Sequence, residues 1–201
     1  QHFIIIMNST DKIQRLFKKA PGAYTMSELV DAGGYANLVR DLVKEGMLEE
    51  IARGVYGLQG QDLEHYEMEA VAAMVPKGIF CLFSALDFHD IGTQRSFDFH
   101  IALPSRQNPP QREYFSIKSY NYRPDAYKNG VERHGRIRVY SVSKTVADCF
   151  MYRNKIGLEV ALEALQDVIK NKRATRAEII DMADVCRVKN VMMPYLEAFS
   201  V

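Results

Sequence analysis

Apolar residues recur every three or four positions over the first part of the chain. Ile13, Leu16, Phe17 and Ala20 form one stripe behind a capping Thr10, which predicts a helix over residues 10–20, stopped by Pro21-Gly22. Ser27 is read as the cap of a second helix with Leu29 and Val30 inward, closed by Gly33-Gly34, where glycine accepts the left-handed backbone of a tight turn. A third helix over residues 35–45 puts Leu38, Val39, Leu42 and Val43 inside and Tyr35, Asn37, Arg40, Asp41 and Lys44 outside. Gly46 ends it, and residues 47–51 and 55–58 read as short strands about a turn at Ala52-Arg53-Gly54. Three helices and a hairpin predict a winged helix-turn-helix over residues 7–59.

Gly60-Gln61-Asp62 marks the expected boundary, with a second domain over residues 60–201. Residues 63–75 read as helix up to Pro76-Lys77-Gly78, residues 79–82 as a short strand or the opening of a helix, and residues 84–90 as helix. Over residues 97–103, Phe97, Phe99, Ile101 and Leu103 alternate with Asp98, His100 and Ala102, which predicts a strand with one buried face. A polar, proline-containing loop over residues 104–112 leads to strands at residues 114–120 and 136–140, with a polar excursion at residues 130–135 between them. The end is helical: from Ser143 or Ser141 to Arg153, over residues 158–170, from a capping box at Thr175 and Glu178, and over residues 191–199. The fold class is α+β: an N-terminal winged helix-turn-helix and a C-terminal α+β domain with a small sheet and several helices. Residues 1–6 are read as an extension ahead of a natural start at Met7, outside the fold.

Composition changes little in this picture. Hydrophobic residues make up 47% and charged residues 25% of 201, as in ordinary globular proteins. The formal charge is +1, so attraction to nucleic acid has to come from local patches. Residues 1–60 hold seven Lys/Arg and seven Asp/Glu, so the expected DNA-binding part is not basic overall. Cys81, Cys149 and Cys186 are odd in number and widely spaced, which points to reduced, buried thiols in a cytoplasmic protein rather than disulfides or zinc. No apolar run approaches the ~20 residues of a membrane span, so no membrane partner is expected.

The third helix carries the sharpest candidate chemistry. A recognition helix meets base edges with its first residues, where Tyr35 and Asn37 stand; Asn bonds adenine bidentately. Arg40 and Lys44 follow one turn apart, suited to base edges or phosphates, and Arg53 sits at the wing tip. Against this, Asp41, Glu45, Glu49 and Glu50 repel phosphates and fit a protein-interaction module instead. Two basic stretches offer further DNA or partner contacts: Arg133, Arg136 and Arg138 in RHGRIR, and Lys170, Lys172, Arg173 and Arg176 in KNKRATR. His65, His89, His100 and His134 fit no metal-ligand spacing, so no metal or cofactor is expected. Asp98 and Glu113 lack the Glu-x-Lys that would follow in a nuclease, and no phosphate loop, nucleophile elbow or dinucleotide fingerprint occurs. No catalytic residue is assigned, and a nucleic-acid-processing enzyme in the second domain stays an alternative.

Four stretches then carry a resemblance: EGMLEEIARGVYGL, PKGIFCLFSALDFHDIGTQ from Pro76, FHIALP, and RVYSVSKTVADCFMYRNKIG with VALEALQD after it. In this order and spacing, over residues 10–199, the chain resembles the AbiEi-type antitoxin family of bacterial toxin–antitoxin and phage-defence systems. The resemblance implies a repressor that binds inverted repeats of its own operon through the winged helix. It also implies a cognate nucleotidyltransferase-like toxin, opposed without a stable complex in the manner called type IV. The stretch GGYANLVRDLVKEG carries fewer cations than the family's pattern. The signature from Ser143 to Phe150 includes Lys144 and Asp148, four residues apart, which read as a paired outer face of a helix.

Overall fold

A computed structural model describes residues 8–61, 65–104 and 114–199. The extension at residues 1–6, the loop at residues 105–112, Glu113 and the expected helix start at Leu63 lie outside the described residues. The chain forms two compact units, residues 1–76 and 77–201.

The first unit contains α1 (Ser9–Lys19), β1 (Tyr24–Thr25), α2 (Met26–Asp31), α3 (Ala36–Lys44), β2 (Leu48–Ala52), β3 (Val55–Leu58) and α4 (Tyr66–Met74). It is a winged helix, with the three strands in the order β1-β3-β2, all antiparallel. Ile13, Phe17, Tyr24, Leu29, Val39, Leu42, Leu48 and Tyr56 form its core. Phe17 meets Tyr24 edge-on with ring centroids 4.9 Å apart. Two caps differ from expectation. Asn8, not Thr10, caps α1 by accepting from the Asp11 amide (2.8 Å). Thr25, not Ser27, caps α2 in a reciprocal box with Glu28. In each the capping oxygen accepts from the amide three positions on, and the helix starts two residues earlier than expected. Val30, expected inside, is 43% exposed.

The boundary also moves. The sequence places residues 63–75 in the second domain, but α4 belongs to the first unit. The Tyr66 hydroxyl donates to Glu49 Oε1 (2.5 Å) across β3, at a point where β3 carries Gly57. A Cβ on Gly57 would come within 2.4 Å of the Tyr66 hydroxyl oxygen and 3.0 Å of Ile51 Cδ1. Gly57→Ala is therefore expected to destabilise this unit by about 1–3 kcal/mol, the usual cost of forced overpacking. A thermal melt unchanged by the substitution would show that α4 does not seal the hairpin there.

The second unit contains β4 (Ile79–Phe80), α5 (Leu82–Phe88), β5 (Phe99–Pro104), β6 (Ile117–Tyr122), α6 (Pro124–Lys128), β7 (Val131–His134), β8 (Ile137–Tyr140), α7 (Val142–Met151), α8 (Arg153–Ile156), α9 (Leu158–Lys170), α10 (Arg176–Val185) and α11 (Lys189–Ala198). Its mixed sheet has the order β6-β5-β4-β8-β7, with β4/β8 and β5/β6 parallel. β5 is not half-buried. His100 and Ala102 are as buried as Ile101 and Leu103, while Phe97 precedes the strand fully exposed. β5 has a strand on each side, and both its faces are covered, which erases the alternation. The polar excursion at residues 130–135 is mostly a strand, β7, the sheet's outer edge, where polar residues are expected. Ser141 caps α7, and the Thr175–Glu178 capping box opens α10 as expected. All three cysteines are free and buried. Among the described residues no helix is long and apolar enough to cross a membrane.

Candidate nucleic-acid interface

α3 is placed by what it buries. Val39 and Leu42 are 0% and 3% exposed, and burying such side chains is worth about 1.5–3 kcal/mol each. The turn before α3 is equally fixed. The Gly33 amide bonds the Val30 carbonyl (2.9 Å) and the Gly34 amide the Leu29 carbonyl (3.0 Å). Gly33 sits at φ +103, and a Cβ on Gly34 would lie 2.8 Å from Ile13 Cδ1 and 2.9 Å from the Leu29 oxygen. Any side chain there pushes α1, α2 and α3 apart.

The outward face follows from that anchoring. Asn37, Arg40, Asp41 and Lys44 stand at i, i+3, i+4 and i+7 of one stripe, all exposed, with Tyr35 exposed at the N-cap. Tyr35 makes no side-chain cap, so the first amides of α3 stay open at the positive end of the helix dipole. Arg40 Nη1 donates to Asn37 Oδ1 (3.0 Å), which orients the amide beside the guanidinium. Lys44 pairs with Asp41 at 3.2 Å, but the side chains are 76% and 59% exposed. Such a pair is worth a few tenths of a kcal/mol and exchanges readily for a phosphate.

The wing is built by residues that read as repulsive in the sequence. Glu50 Oε1 accepts from the Gly54 amide (2.7 Å) and so closes the wing turn, in which Gly54 takes φ +75. Burial raises the Tyr56 phenol, the charge of Glu50 and a hydrogen bond to it add to this, and Arg40 opposes it. Arg40 on α3 and Glu50 on the wing thus both act on Tyr56, and Arg53 stands exposed at the tip. Glu49 is engaged by Tyr66. Two of the four carboxylates that weigh against DNA therefore serve the fold, while Asp41 and Glu45 remain on the surface. The sequence does hold a signal for Glu50: a carboxylate four residues before the glycine of a hairpin turn.

In the second unit the two basic stretches, remote in sequence, converge on the end of α5. Arg133, on β7, lies directly opposite Arg138, on β8, and Arg136 sits in the turn between them. Arg138 also lies over the Tyr127 ring, 5.9 Å from its centroid. The His134 ring is 4.9 Å from that of Phe88. From the other side, Arg173 Nη1 donates to the His89 carbonyl (2.5 Å), and His89 Nε2 is 2.7 Å from the Tyr140 carbonyl. Lys170, Lys172 and Arg176 flank Arg173 at the α9–α10 connection, all exposed. Among the described residues no group of three or more His, Cys, Asp or Glu is arranged to hold a metal. Asp98 bonds Ser116 and Lys118, the latter holding its carboxyl below the usual range.

The signature pair Lys144–Asp148 is not on an outer face: both side chains are 0% exposed. Nothing local signals this, because the groups that enclose it, Tyr122 and Tyr140, arrive from β6 and β8.

No family model matches the sequence, and no curated protein does. Among solved structures the chain is similar to the crystal structure of the RV2827C protein from Mycobacterium tuberculosis. The two share 11% identity with a TM-score of 0.56, over 94% of this chain and 80% of that one. That likeness is one of fold.

Proposed function

We propose that this protein is a cytoplasmic, non-enzymatic antitoxin of the AbiEi type that represses its own operon by binding inverted repeats of duplex DNA through the winged helix. One observation carries the DNA-binding part: an anchored α3 presents Tyr35, Asn37, Arg40 and Lys44 on one side, with Arg53 on the adjacent wing tip. The resemblance of the later motifs supplies the antitoxin part and its opponent, a nucleotidyltransferase-like toxin encoded alongside. Arg133, Arg136, Arg138 and Lys170 remain candidates for added DNA or partner contact.

Gel shifts with the fragment upstream of the gene test the reading. Arg40→Ala with Lys44→Ala is expected to weaken binding tenfold or more, and to flatten the slope of log K against log salt by roughly one unit for each phosphate no longer bound. Binding equal to the unaltered chain would remove α3 from the interface. Co-expression with the neighbouring toxin gene tests the antitoxin part separately, by rescue of growth. One feature favours a protein partner for the winged helix instead: Asp41 and Glu45 remain on its exposed face. A chain that rescues growth but retards no promoter DNA would support that second reading.

A further inference from the structure

α9 ends in a turn that its own sequence does not favour. The Lys172 amide bonds the Ile169 carbonyl (3.2 Å) and the Arg173 amide the Val168 carbonyl (3.0 Å), a pattern that normally places glycine at the first of these positions. Lys172 takes that left-handed position at φ +53. The turn directs the chain around a cavity of about 460 Å³ between the end of α9, the start of α10 and α11. Its floor is apolar: Ile169, Ile179 and Leu196. Its rim is cationic: Lys172, Arg173 and Arg176. Arg173 is steadied there by its bond to the His89 carbonyl.

Glu178 is the carboxylate that lines the cavity, and it is already engaged. It accepts from the Thr175 amide and hydroxyl, both at 2.7 Å, and these bonds hold its carboxyl below the usual range. The N-terminus of α10 is thus closed by the protein itself.

We propose that this cavity binds a small organic acid, its apolar body on Ile169, Ile179 and Leu196 and its acid group against Lys172, Arg173 and Arg176. The volume falls within the range of small-molecule sites, and an apolar lining with a few convergent charges is their usual chemistry. The floor decides against duplex DNA as the occupant. A phosphodiester backbone has no apolar body to lay on it, and phosphate contacts alone would leave the concave, apolar part unused. The inference is independent of the role of α3.

The probe is 1-anilinonaphthalene-8-sulfonate, titrated against the full chain with isoleucine methyl groups labelled for NMR. The expected result is saturable binding that shifts the methyl signals of Ile169 and Ile179 and leaves Ile13, beside a smaller cavity in the first unit, in place. Lys172→Glu with Arg176→Glu changes two exposed positions and is expected to weaken binding at least tenfold. Lys172→Ala, with a smaller loss in the same direction, serves if the double variant melts early. N-phenyl-1-naphthylamine, which has the same body without the sulfonate, is expected to bind at least tenfold more weakly. Shifts confined to other methyls, a Kd within twofold in the charge variants, equal binding of the neutral analogue, or displacement of the probe by a short DNA duplex would each overturn the inference.

Discussion

Replacing Lys144 by methionine is expected to destabilise the protein by about 3–5 kcal/mol at neutral pH, and adding Asp148→Leu to recover much of that loss. Lys144 Nζ donates to Asp148 Oδ1, with both side chains 0% exposed. The ammonium also lies 3.9 Å from the Tyr140 ring centroid and 4.8 Å from that of Tyr122. The Cys186 thiol donates to the same carboxylate oxygen (3.3 Å). Burial pushes the Asp148 carboxyl up, and the charge and hydrogen bond of Lys144 push it back. Removing the lysine takes away the largest opposing influence and leaves burial against the hydrogen bonding of Cys186 and Tyr122, so the carboxyl moves further up. A carboxyl whose folded pKa is raised contributes stability below its unfolded pKa and loses it as pH rises through the folded one. The single variant is therefore expected to be weakest at neutral pH and to approach the unaltered protein on acidification, while the double variant lacks this dependence. Neither variant has an ammonium to place over the two tyrosine rings, a deficit of about 1–2 kcal/mol, so recovery in the double variant is partial. Urea unfolding at neutral and acidic pH measures all of this. Equal losses in single and double variants would show that the pair is not coupled.

That pair also marks where sequence reading stops. The winged helix is legible because each of its helices has one buried stripe, and the inner positions Ile13, Phe17, Leu29, Val39 and Leu42 are fixed by a period that needs no knowledge of partners. The caps slip by two residues because Asn8, Thr10, Thr25 and Ser27 are all competent, and only the backbone decides among them. α4 falls to the wrong unit because its hold on the wing rests on Tyr66 reaching over Gly57, an absence of side chain that no periodicity records. In the second unit β7 is a polar edge strand paired with the adjoining β8, and its polar residues read as a loop. β5 and the Lys144–Asp148 pair are instead defined by neighbours from other elements: two flanking strands for the first, the tyrosines of β6 and β8 for the second. An ion pair four residues apart reads as surface unless those neighbours are known.

The candidate site divides along the same line. The outward residues of α3 are readable as the complement of its buried stripe, and the structure leaves them exposed together. The meaning of Glu49 and Glu50 is not readable. Counted as charges they argue against DNA, yet one is engaged by Tyr66 and the other closes the wing turn beneath Arg53. The basic stretches are visible as composition, but their meeting at Phe88 and His89 is a property of the tertiary fold.

Acidification is expected to cost the protein up to about 3 kcal/mol through His100 alone. The residue is 2% exposed. Its ring stacks on Tyr120 with centroids 5.4 Å apart and meets Phe83 edge-on at 5.1 Å. Nδ1 is 3.0 Å from the Tyr120 hydroxyl and Nε2 3.2 Å from Ser96 Oγ. Ser96 Oγ also accepts from the Asp98 amide (3.1 Å). A neutral ring donates to one of these hydroxyls and accepts from the other. Burial is the largest influence on it; Lys118 acts in the same direction and Asp98 against, and the pKa falls from 6.5 to about 4. Because the folded pKa lies below the unfolded one, this stabilisation is present above pH 6.5 and is lost as pH falls through about 4. At about 1.4 kcal/mol per pKa unit the interval gives the stated figure. His100→Gln keeps a donor and an acceptor but cannot gain charge. The difference in unfolding free energy between the unaltered protein and this variant should therefore shrink by about 2–3 kcal/mol between neutral pH and pH 4. Taking the difference removes His89, whose pKa burial also lowers. Parallel stability curves for the two proteins would show that His100 titrates as an ordinary histidine.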